Sequence, residues 1–278
     1  MGFVTRHKQR DRKLQENLQK LMDAINNDLT NDENVLAVFY GGSIAKRNDD
    51  LYSDLDLRVV VKEEMFEEYR KNKKGRAKNW GEVLFYEDFP RATHSVAHFR
   101  SFVKVDTFYY KPKDLQPSIY LKEEVKIVYD PYGIVKDIHK KSQAFNYRLT
   151  IEEFEIWRGK FFAHMHEVYR RVMRGEIYYA LRSLDMMRWY VATGWDMEKD
   201  KLPNEFGIWT KYEGKRAEFE DWQLSLLESW DCDRNPYNIM NVLKSIAPEF
   251  KRVHKKLCEK LNIEENSEWV NEIIDMAF

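Results

Sequence analysis

Two aspartates separated by one residue stand at the start of a short apolar segment. Asp54 and Asp56 flank Leu55, and three consecutive valines follow shortly afterwards. This alternation predicts a β-strand, in which side chains two residues apart point to the same face. Two carboxylates held so close repel one another unless a cation lies between them. The pair therefore predicts a site for a hard divalent ion such as Mg²⁺, which takes one or two carboxylates together with substrate phosphates. The alternative is a half-exposed strand whose polar face is acidic by chance.

A turn of small residues precedes this strand. Gly41 and Gly42 allow the backbone to approach a bulky ligand, and Ser43 offers a hydroxyl group and a helix N-cap. The short segment that follows is expected to be helical, with free N–H groups for phosphate oxygens, and Lys46 and Arg47 add positive charge one turn later. A Gly-Gly-Ser sequence alone is most often a simple turn. Its position directly before an acidic strand favours a phosphate site.

A third carboxylate lies in a later segment with strand character. Asp106 alternates with apolar residues in the segment 102–110, so a neighbouring strand can place it beside Asp54 and Asp56. Three carboxylates can hold two metal ions, which contact the attacking and leaving oxygens of an in-line phosphoryl displacement. Asp106 is also a candidate general base for an attacking hydroxyl group.

The apolar pattern predicts the elements that must position these groups. It changes near Thr150 from mixed helices and strands to helices throughout, with breaks expected at Gly175 and Gly194. The fold class is therefore α/β (α+β), with a mixed β-sheet flanked by helices followed by an all-helical part. Strands are expected within 33–40, 53–61, 82–86, 101–110 and 125–133. Helices are expected at 12–29 and 63–75. After residue 150, two successive apolar stripes predict two helices, and further helices are expected at 216–230, 238–262 and 267–277.

Composition excludes several classes of function. The 278 residues carry a net charge of −1, which gives no overall attraction to nucleic acid or to a membrane surface. The basic run at 69–78 is expected to be a solvated loop. No apolar run approaches the length of a membrane span, and no signal peptide is visible. The expectation is a cytoplasmic protein that binds neither nucleic acid nor membrane.

The sequence of motifs is similar to a known superfamily. Gly-Ser, a spacer, Asp-x-Asp and a later strand aspartate resemble the nucleotidyltransferases that include polymerase β. The segments 79–88, 174–196 and 211–216 are similar to the aminoglycoside 6-adenylyltransferases, which inactivate streptomycin. The resemblance covers most of the chain in order. It implies a nucleotidyltransferase domain over 1–145 and a helical acceptor-binding domain over 146–278.

The resemblance also implies roles for individual residues. Asp54, Asp56 and Asp106 would be the catalytic metal ligands, and Gly42 and Ser43 would hold the triphosphate of ATP.

One position departs from the family pattern. The aminoglycoside enzymes usually have an arginine directly after the serine, where this chain has Ile44. Lys46 or Arg47 is then the candidate replacement for that phosphate contact.

The helical part supplies a further candidate. Glu176 lies at the start of the second helical stripe after residue 150, and in related antibiotic nucleotidyltransferases a helical-domain glutamate is the general base. The resemblance implies that catalytic role here. The alternative is that Glu176 only complements a helix dipole. Asp185 is a second, weaker candidate, for holding a cationic acceptor.

Together these features predict a Mg²⁺-dependent enzyme that transfers AMP from ATP to a hydroxyl group of an aminoglycoside such as streptomycin and releases pyrophosphate. One alternative is a nucleotidyltransferase that modifies lincosamides or other small molecules. Another is a regulatory nucleotide-binding protein that acts on a protein partner.

Overall fold

The computed structural model describes residues 6–278 of the chain. These form two compact units, the first ending at Asn146 and the second spanning Tyr147–Phe278. The first contains a mixed β-sheet flanked by helices, and the second is helical. The expected α/β fold class with a helical C-terminal part is confirmed.

A six-stranded sheet forms the centre of the first unit, with the strands in the order β3-β4-β5-β2-β1-β6. β2 and β5 run parallel, and the other neighbouring strands are antiparallel. This arrangement brings together two strands that are almost fifty residues apart in the chain. The strands are β1 (Val35–Tyr40), β2 (Leu55–Val61), β3 (Val83–Glu87), β4 (His94–Phe99), β5 (Lys104–Tyr110) and β6 (Lys126–Tyr129).

Helices pack on both sides of this sheet. The longest places Leu18, Leu21, Met22, Ile25 and Leu29 in the core, because apolar residues spaced three or four apart share one face of a helix. A smaller apolar cluster lies on the opposite face of the sheet. The helices of this unit are α1 (Lys8–Asp11), α2 (Leu14–Thr30), α3 (Gly42–Lys46), α4 (Phe66–Ala77) and α5 (Ile134–Ser142).

The alternation of side chains in β2 divides its residues between the two faces of the sheet. Leu55, Leu57 and Val59 are fully buried in the larger core. Asp56 therefore points to the opposite face, where Val60 joins the smaller cluster. The burial of the apolar residues of β2 thus determines which face of the sheet Asp56 occupies.

Several expectations about this unit need correction. Helix α4 continues through Gly75 to Ala77, so the basic run is helical and not a loop. Lys73 in that run is buried, and its ammonium donates hydrogen bonds to the carbonyls of Phe89, Ala92 and His94 at 2.7, 2.9 and 3.0 Å. The strand β4 and the helix α5 are additional to the elements expected from the sequence.

The second unit is built from long helices with an aromatic core. Phe161 and Phe250 stack with ring centroids 3.7 Å apart, and the Trp157 indole donates a hydrogen bond of 2.6 Å to the Tyr190 carbonyl. The helices are α6 (Ile151–Met173), α7 (Ile177–Glu198), α8 (Asp221–Ser229), α9 (Pro236–Leu261) and α10 (Ser267–Asp275).

The break expected at Gly194 is absent. Helix α7 continues through this residue to Glu198, and a Cβ atom there would lie 2.7 Å from Val253 and 2.9 Å from Trp157. The glycine therefore permits close packing between helices. Gly175, with φ +71°, does lie between α6 and α7.

A buried polar pair lies just before the C-terminal end of α7. The Tyr212 hydroxyl donates a hydrogen bond of 2.7 Å to the Asp196 carboxylate, and both residues are buried. This hydrogen bond connects the segment that contains Tyr212 to α7.

Within residues 6–278, no helix is long and apolar enough to cross a membrane.

Candidate active site

The two acidic strands are neighbours in the sheet. Asp56 of β2 is paired in register with Asp106 of the parallel strand β5, so their side chains share one face. Asp54 precedes β2 by one residue, and a single cation from β5 contacts both Asp54 and Asp106. The structure therefore brings together the three carboxylates that the sequence singled out.

The small-residue turn lies against these carboxylates. The Gly41 N–H donates a hydrogen bond of 3.0 Å to the Asp56 carbonyl, and Gly42 has a φ of +58°. A Cβ atom on Gly42 would lie 1.9 Å from Asp56 Oδ2. Glycine is thus required at this position by the backbone conformation and by the space that the carboxylate occupies.

Ser43 differs in detail from its expected position. The N-cap of α3 is Gly41, and no side chain caps this helix. Ser43 is the second residue within α3, so the expectation that it is the N-cap is wrong. The Ser43 hydroxyl group therefore does not cap the N-terminus of α3.

A lysine completes the carboxylate cluster. The Lys104 ammonium lies 2.7 Å from Asp54 Oδ2 and 3.2 Å from Asp106 Oδ2. In the part of the chain that the structure describes, no group of three or more histidines, cysteines and acids has the arrangement of a preformed metal site. Sequence reasoning overlooked Lys104, although its position two residues before Asp106 places it on the same face of β5.

Burial and charge shift the acidities of two of the three carboxyl groups. Burial raises the pKa of Asp56, and the neighbouring Asp54 charge raises it further, while Arg58 and Lys104 act in the opposite direction. Burial also raises the pKa of Asp106, opposed mainly by Lys104. Both groups are thus destabilised as anions in the folded chain, which is the condition that a bound cation relieves.

The residues of this cluster fit a divalent metal ion. The ligands are hard carboxylate oxygens, and Asp106 Oδ1 is buried without any hydrogen-bond partner. Because Gly42 has no Cβ atom, Asp56 Oδ2 can lie directly against the backbone of the turn. A hard cation bound here would give the buried Asp106 oxygen the partner that it lacks and would neutralise the neighbouring carboxylates.

A second cation overlooked in the sequence lies beside the turn. Arg58 follows Asp56 by two residues on the same face of β2, and a Cβ atom on Gly41 would lie 2.2 Å from its Nη1. Its guanidinium carbon is 5.5 Å from the centre of the Phe108 ring. Among the described residues Arg58 forms no ion pair, and its Nη1 donates a long hydrogen bond of 3.3 Å to the Asp56 carbonyl.

The basic residues named from the sequence lie on the other side of the turn. The Lys46 ammonium forms an ion pair with Glu123 at 2.7 Å. Lys46 and Arg47 line a groove of about 670 Å³ together with Glu124 and Lys126. Lys46 is thus partly neutralised by an acidic neighbour.

Ile44 contributes to the core of the first unit. The residue is 6% exposed and belongs to the apolar cluster under α2. Its side chain packs as an ordinary aliphatic residue, so this position makes no charged contact.

Glu176 belongs to the second unit, where it is the N-cap residue of α7 without a side-chain cap. Its carboxylate forms an ion pair with Arg171, which also pairs with Glu167 at 2.7 Å. The Arg171 guanidinium lies 4.1 Å from the centre of the Tyr179 ring. Glu176 is thus oriented by a cation and remains 45% exposed at its side chain.

Asp185 also lies in the second unit, on α7. Its side chain is half exposed and accepts a long hydrogen bond of 3.4 Å from the Trp209 indole. Trp189 and Tyr190 of the same helix line an apolar cavity of about 290 Å³ with Phe206. The carboxylate in the lining of this cavity belongs to Glu153, so Asp185 is not part of it.

Comparison with known proteins gives one match over almost the whole chain. The family model described as streptomycin adenylyltransferase matches residues 15–276. No curated protein matches significantly.

Several solved structures are similar to this chain at low sequence identity, and two of them are described here. One is an aminoglycoside 6-adenyltransferase from Bacillus subtilis, with 13% identity, a TM-score of 0.40, and 92% of this chain and 97% of that chain covered. The other is a nucleotidyltransferase-like protein from Exiguobacterium sibiricum 255-15, with 13% identity, a TM-score of 0.43, and 87% of this chain and 77% of that chain covered.

Proposed function

The chain belongs to the streptomycin adenylyltransferase family and is a nucleotidyltransferase, and we propose that it transfers AMP from ATP to a hydroxyl group of an aminoglycoside such as streptomycin. The observation that carries this proposal is the pairing of Asp56 with Asp106 on one sheet face, beside the Gly42 turn. Such a cluster suits phosphoryl transfer, in which catalysis consists mainly of positioning and electrostatic stabilisation.

Asp54, Asp56 and Asp106 would hold Mg²⁺, one or two ions. When bound, the metal supplies positive charge to the phosphate oxygens and to the attacking and leaving oxygens. The contribution of the chain is to hold three hard ligands on one rigid sheet face. Gly42 keeps the backbone close to them without a side chain in the way.

The triphosphate would lie against the turn. Gly42 and Ser43 would contribute contacts from the backbone and the hydroxyl group, and Arg58 offers a guanidinium on the carboxylate side. Arg47 and Lys46 add positive charge from the groove side, with Lys46 shared with Glu123. These cations would stabilise the charge that accumulates on departing pyrophosphate.

Two residues are candidates for the general base that takes the proton from the acceptor hydroxyl. Asp106 has a buried and unpartnered Oδ1, and burial raises its pKa toward that of an effective base. Glu176 is oriented by Arg171 and exposed to an incoming acceptor. Separate substitutions at the two positions distinguish these roles.

The decisive experiment is incubation of the protein with Mg²⁺, ATP and a panel of aminoglycosides and lincosamides, followed by mass spectrometry. The expected result is one added AMP on streptomycin or another aminoglycoside. An adduct confined to a lincosamide would change the acceptor class. Modification of a protein partner, with every drug left unchanged, would contradict the proposal and support a regulatory role.

A further inference from the structure

Lys104 places a positive charge between two of the three carboxylates of the cluster. Its ammonium contacts one oxygen of Asp54 and one of Asp106, at 2.7 and 3.2 Å. These are atoms of the same carboxylates that would bind Mg²⁺ in the proposed reaction. The lysine side chain is 35% exposed, so its charged end is within reach of solvent.

Electrostatics explains why a cation is needed there. Asp56 and Asp106 are partly buried and paired in register, and Asp54 lies two residues before Asp56 on the same face. Without a counter-charge, these groups repel one another across the sheet face. The Lys104 ammonium relieves that repulsion through its contacts with Asp54 and Asp106.

An ammonium and a divalent ion cannot use the same oxygen atoms at once. The lysine side chain has a flexible four-carbon stem and a compact charge, so it can leave the carboxylates without moving the backbone of β5. Phosphate oxygens arriving with a nucleotide would offer the displaced ammonium a new anionic partner. Displacement would thus be easier when metal and nucleotide enter together.

We infer that Lys104 is a displaceable counter-cation, which holds Asp54 and Asp106 in place before the metal binds and leaves when it enters. This inference rests on the proposed metal-dependent function. Lys104 is in this sense a positioning residue. It makes metal binding weak in the free protein and couples it to the binding of the nucleotide.

The test measures Mn²⁺ binding directly, by electron paramagnetic resonance of the free ion, with no nucleotide present. Lys104→Met keeps much of the aliphatic stem and removes the charge. The expected result is Mn²⁺ binding about tenfold tighter than in the wild-type protein, because one repelling positive charge close to the ion is removed. Equal or weaker binding in a folded Lys104→Met protein would overturn the inference.

Two further variants make this result specific. Lys104→Arg retains the positive charge and is expected to keep the weak Mn²⁺ binding of the wild-type protein. Asp54→Asn removes a ligand and is expected to abolish binding, which shows that the titration reports on this site. If Lys104→Arg binds Mn²⁺ as tightly as Lys104→Met, the change in affinity comes from packing and not from the lost charge, which contradicts the inference.

Coupling to the nucleotide gives a second readout. Addition of ATP is expected to strengthen Mn²⁺ binding more in the wild-type protein than in Lys104→Met, after correction for Mn²⁺ bound by free ATP. If AMP transfer to a drug is observed but Lys104→Met leaves Mn²⁺ affinity unchanged, the inference about Lys104 alone is wrong. If the wild-type protein neither binds Mn²⁺ with ATP nor transfers AMP, the proposed function is wrong as well.

Discussion

Asp56 and Asp106 occupy paired positions in two parallel strands, and this single register match creates the candidate active site. A slip of one residue between β2 and β5 would turn one carboxylate toward the apolar core on the other face. The buried residues Leu57 and Val105 oppose such a slip, because each would lose its place in that core. The hydrophobic core thus sets the geometry of the acidic cluster.

Substitution of Asp56 tests the metal site. Asp56→Asn is expected to lower the rate of AMP transfer by about 10³-fold or more, since metal-ion stabilisation of phosphoryl charge is worth several kcal/mol. The free energy of unfolding at neutral pH is expected not to fall, because the change removes a partly buried charge whose pKa is raised by burial. Pyrophosphate release and urea denaturation measure the two effects. Asp114→Asn, an exposed aspartate in a 3₁₀ turn, serves as the control.

Gly42 and Gly133 provide a matched pair. Both have positive φ, +58° and +69°, but only at Gly42 would a Cβ atom meet a neighbour. Each change to alanine is expected to cost about 1–2 kcal/mol of stability from the backbone alone. Gly42→Ala is expected to lose about 10²-fold in activity as well, because it displaces Asp56. Steady-state kinetics of the two purified variants check this, and equal activities would show that the space beside Asp56 is not required.

Glu176 and Glu167 share the cation Arg171, but only Glu176 is proposed as a general base. Glu176→Gln is expected to lower kcat by about 10²–10⁴-fold, the usual contribution of such a base. Glu167→Gln is the control and is expected to change kcat little. Retention of full activity in Glu176→Gln, together with its loss in Asp106→Asn, would assign the proton transfer to Asp106.

Arg58 is expected to contribute to nucleotide binding. Arg58→Met removes the charge and keeps much of the stem, so KM for ATP is expected to rise about tenfold, the effect of losing one charge-assisted contact worth roughly 1.5 kcal/mol. Arg100→Met, at an exposed ion pair with Glu82, is the control. Steady-state kinetics with varied ATP provide the measurement. An unchanged KM would remove Arg58 from the phosphate site.

The pair of Asp196 and Tyr212 makes stability depend on pH. Burial raises the pKa of Asp196 to about 6 in the folded protein, from an ordinary value of 3.8. The folded state therefore binds a proton that the unfolded state releases between these pH values, and stability falls as pH rises from 4 to 6. Asp196→Asn is expected to remove this loss, which amounts to roughly 3 kcal/mol at most above pH 6.

Thermal unfolding of Asp196→Asn and of the wild-type protein at a series of pH values checks this expectation. The advantage of the variant should be greatest at pH 7 and should vanish near pH 4. Glu213→Gln, at an exposed position close to Tyr212, should follow the wild-type curve. A stability difference between Asp196→Asn and the wild-type protein that stays constant from pH 4 to pH 7 would contradict the expectation.

Much of the acidic cluster could be predicted from the sequence because it depends on periodicity. Alternation in β2 and β5 places Asp56 and Asp106 among apolar neighbours whose burial leaves one face for both. The pairing of the two strands is a long-range property, and only the structure shows it. The contacts of Lys104 with Asp54 and Asp106 depend on that pairing, which explains why its role was overlooked.

Other features escaped prediction because they depend on distant neighbours. Gly175 lies between two helices whereas Gly194 lies inside one, where the space for a side chain is taken by Trp157 and Val253. Lys73 lies in a strongly basic run, yet its ammonium is buried among backbone carbonyls that a later loop supplies. The strand β4 carries two histidines and a serine, which weaken its apolar signal.

The burial of Ile44 limits which side chains of the turn can contact phosphate. A single substitution to arginine at this position would have to place a guanidinium in the space of an aliphatic side chain that is 6% exposed. Such a change is expected to destabilise the first unit, because a charged group would replace a buried aliphatic one. Phosphate contacts in this chain are therefore expected from other cations, and Arg58 of β2 is a candidate.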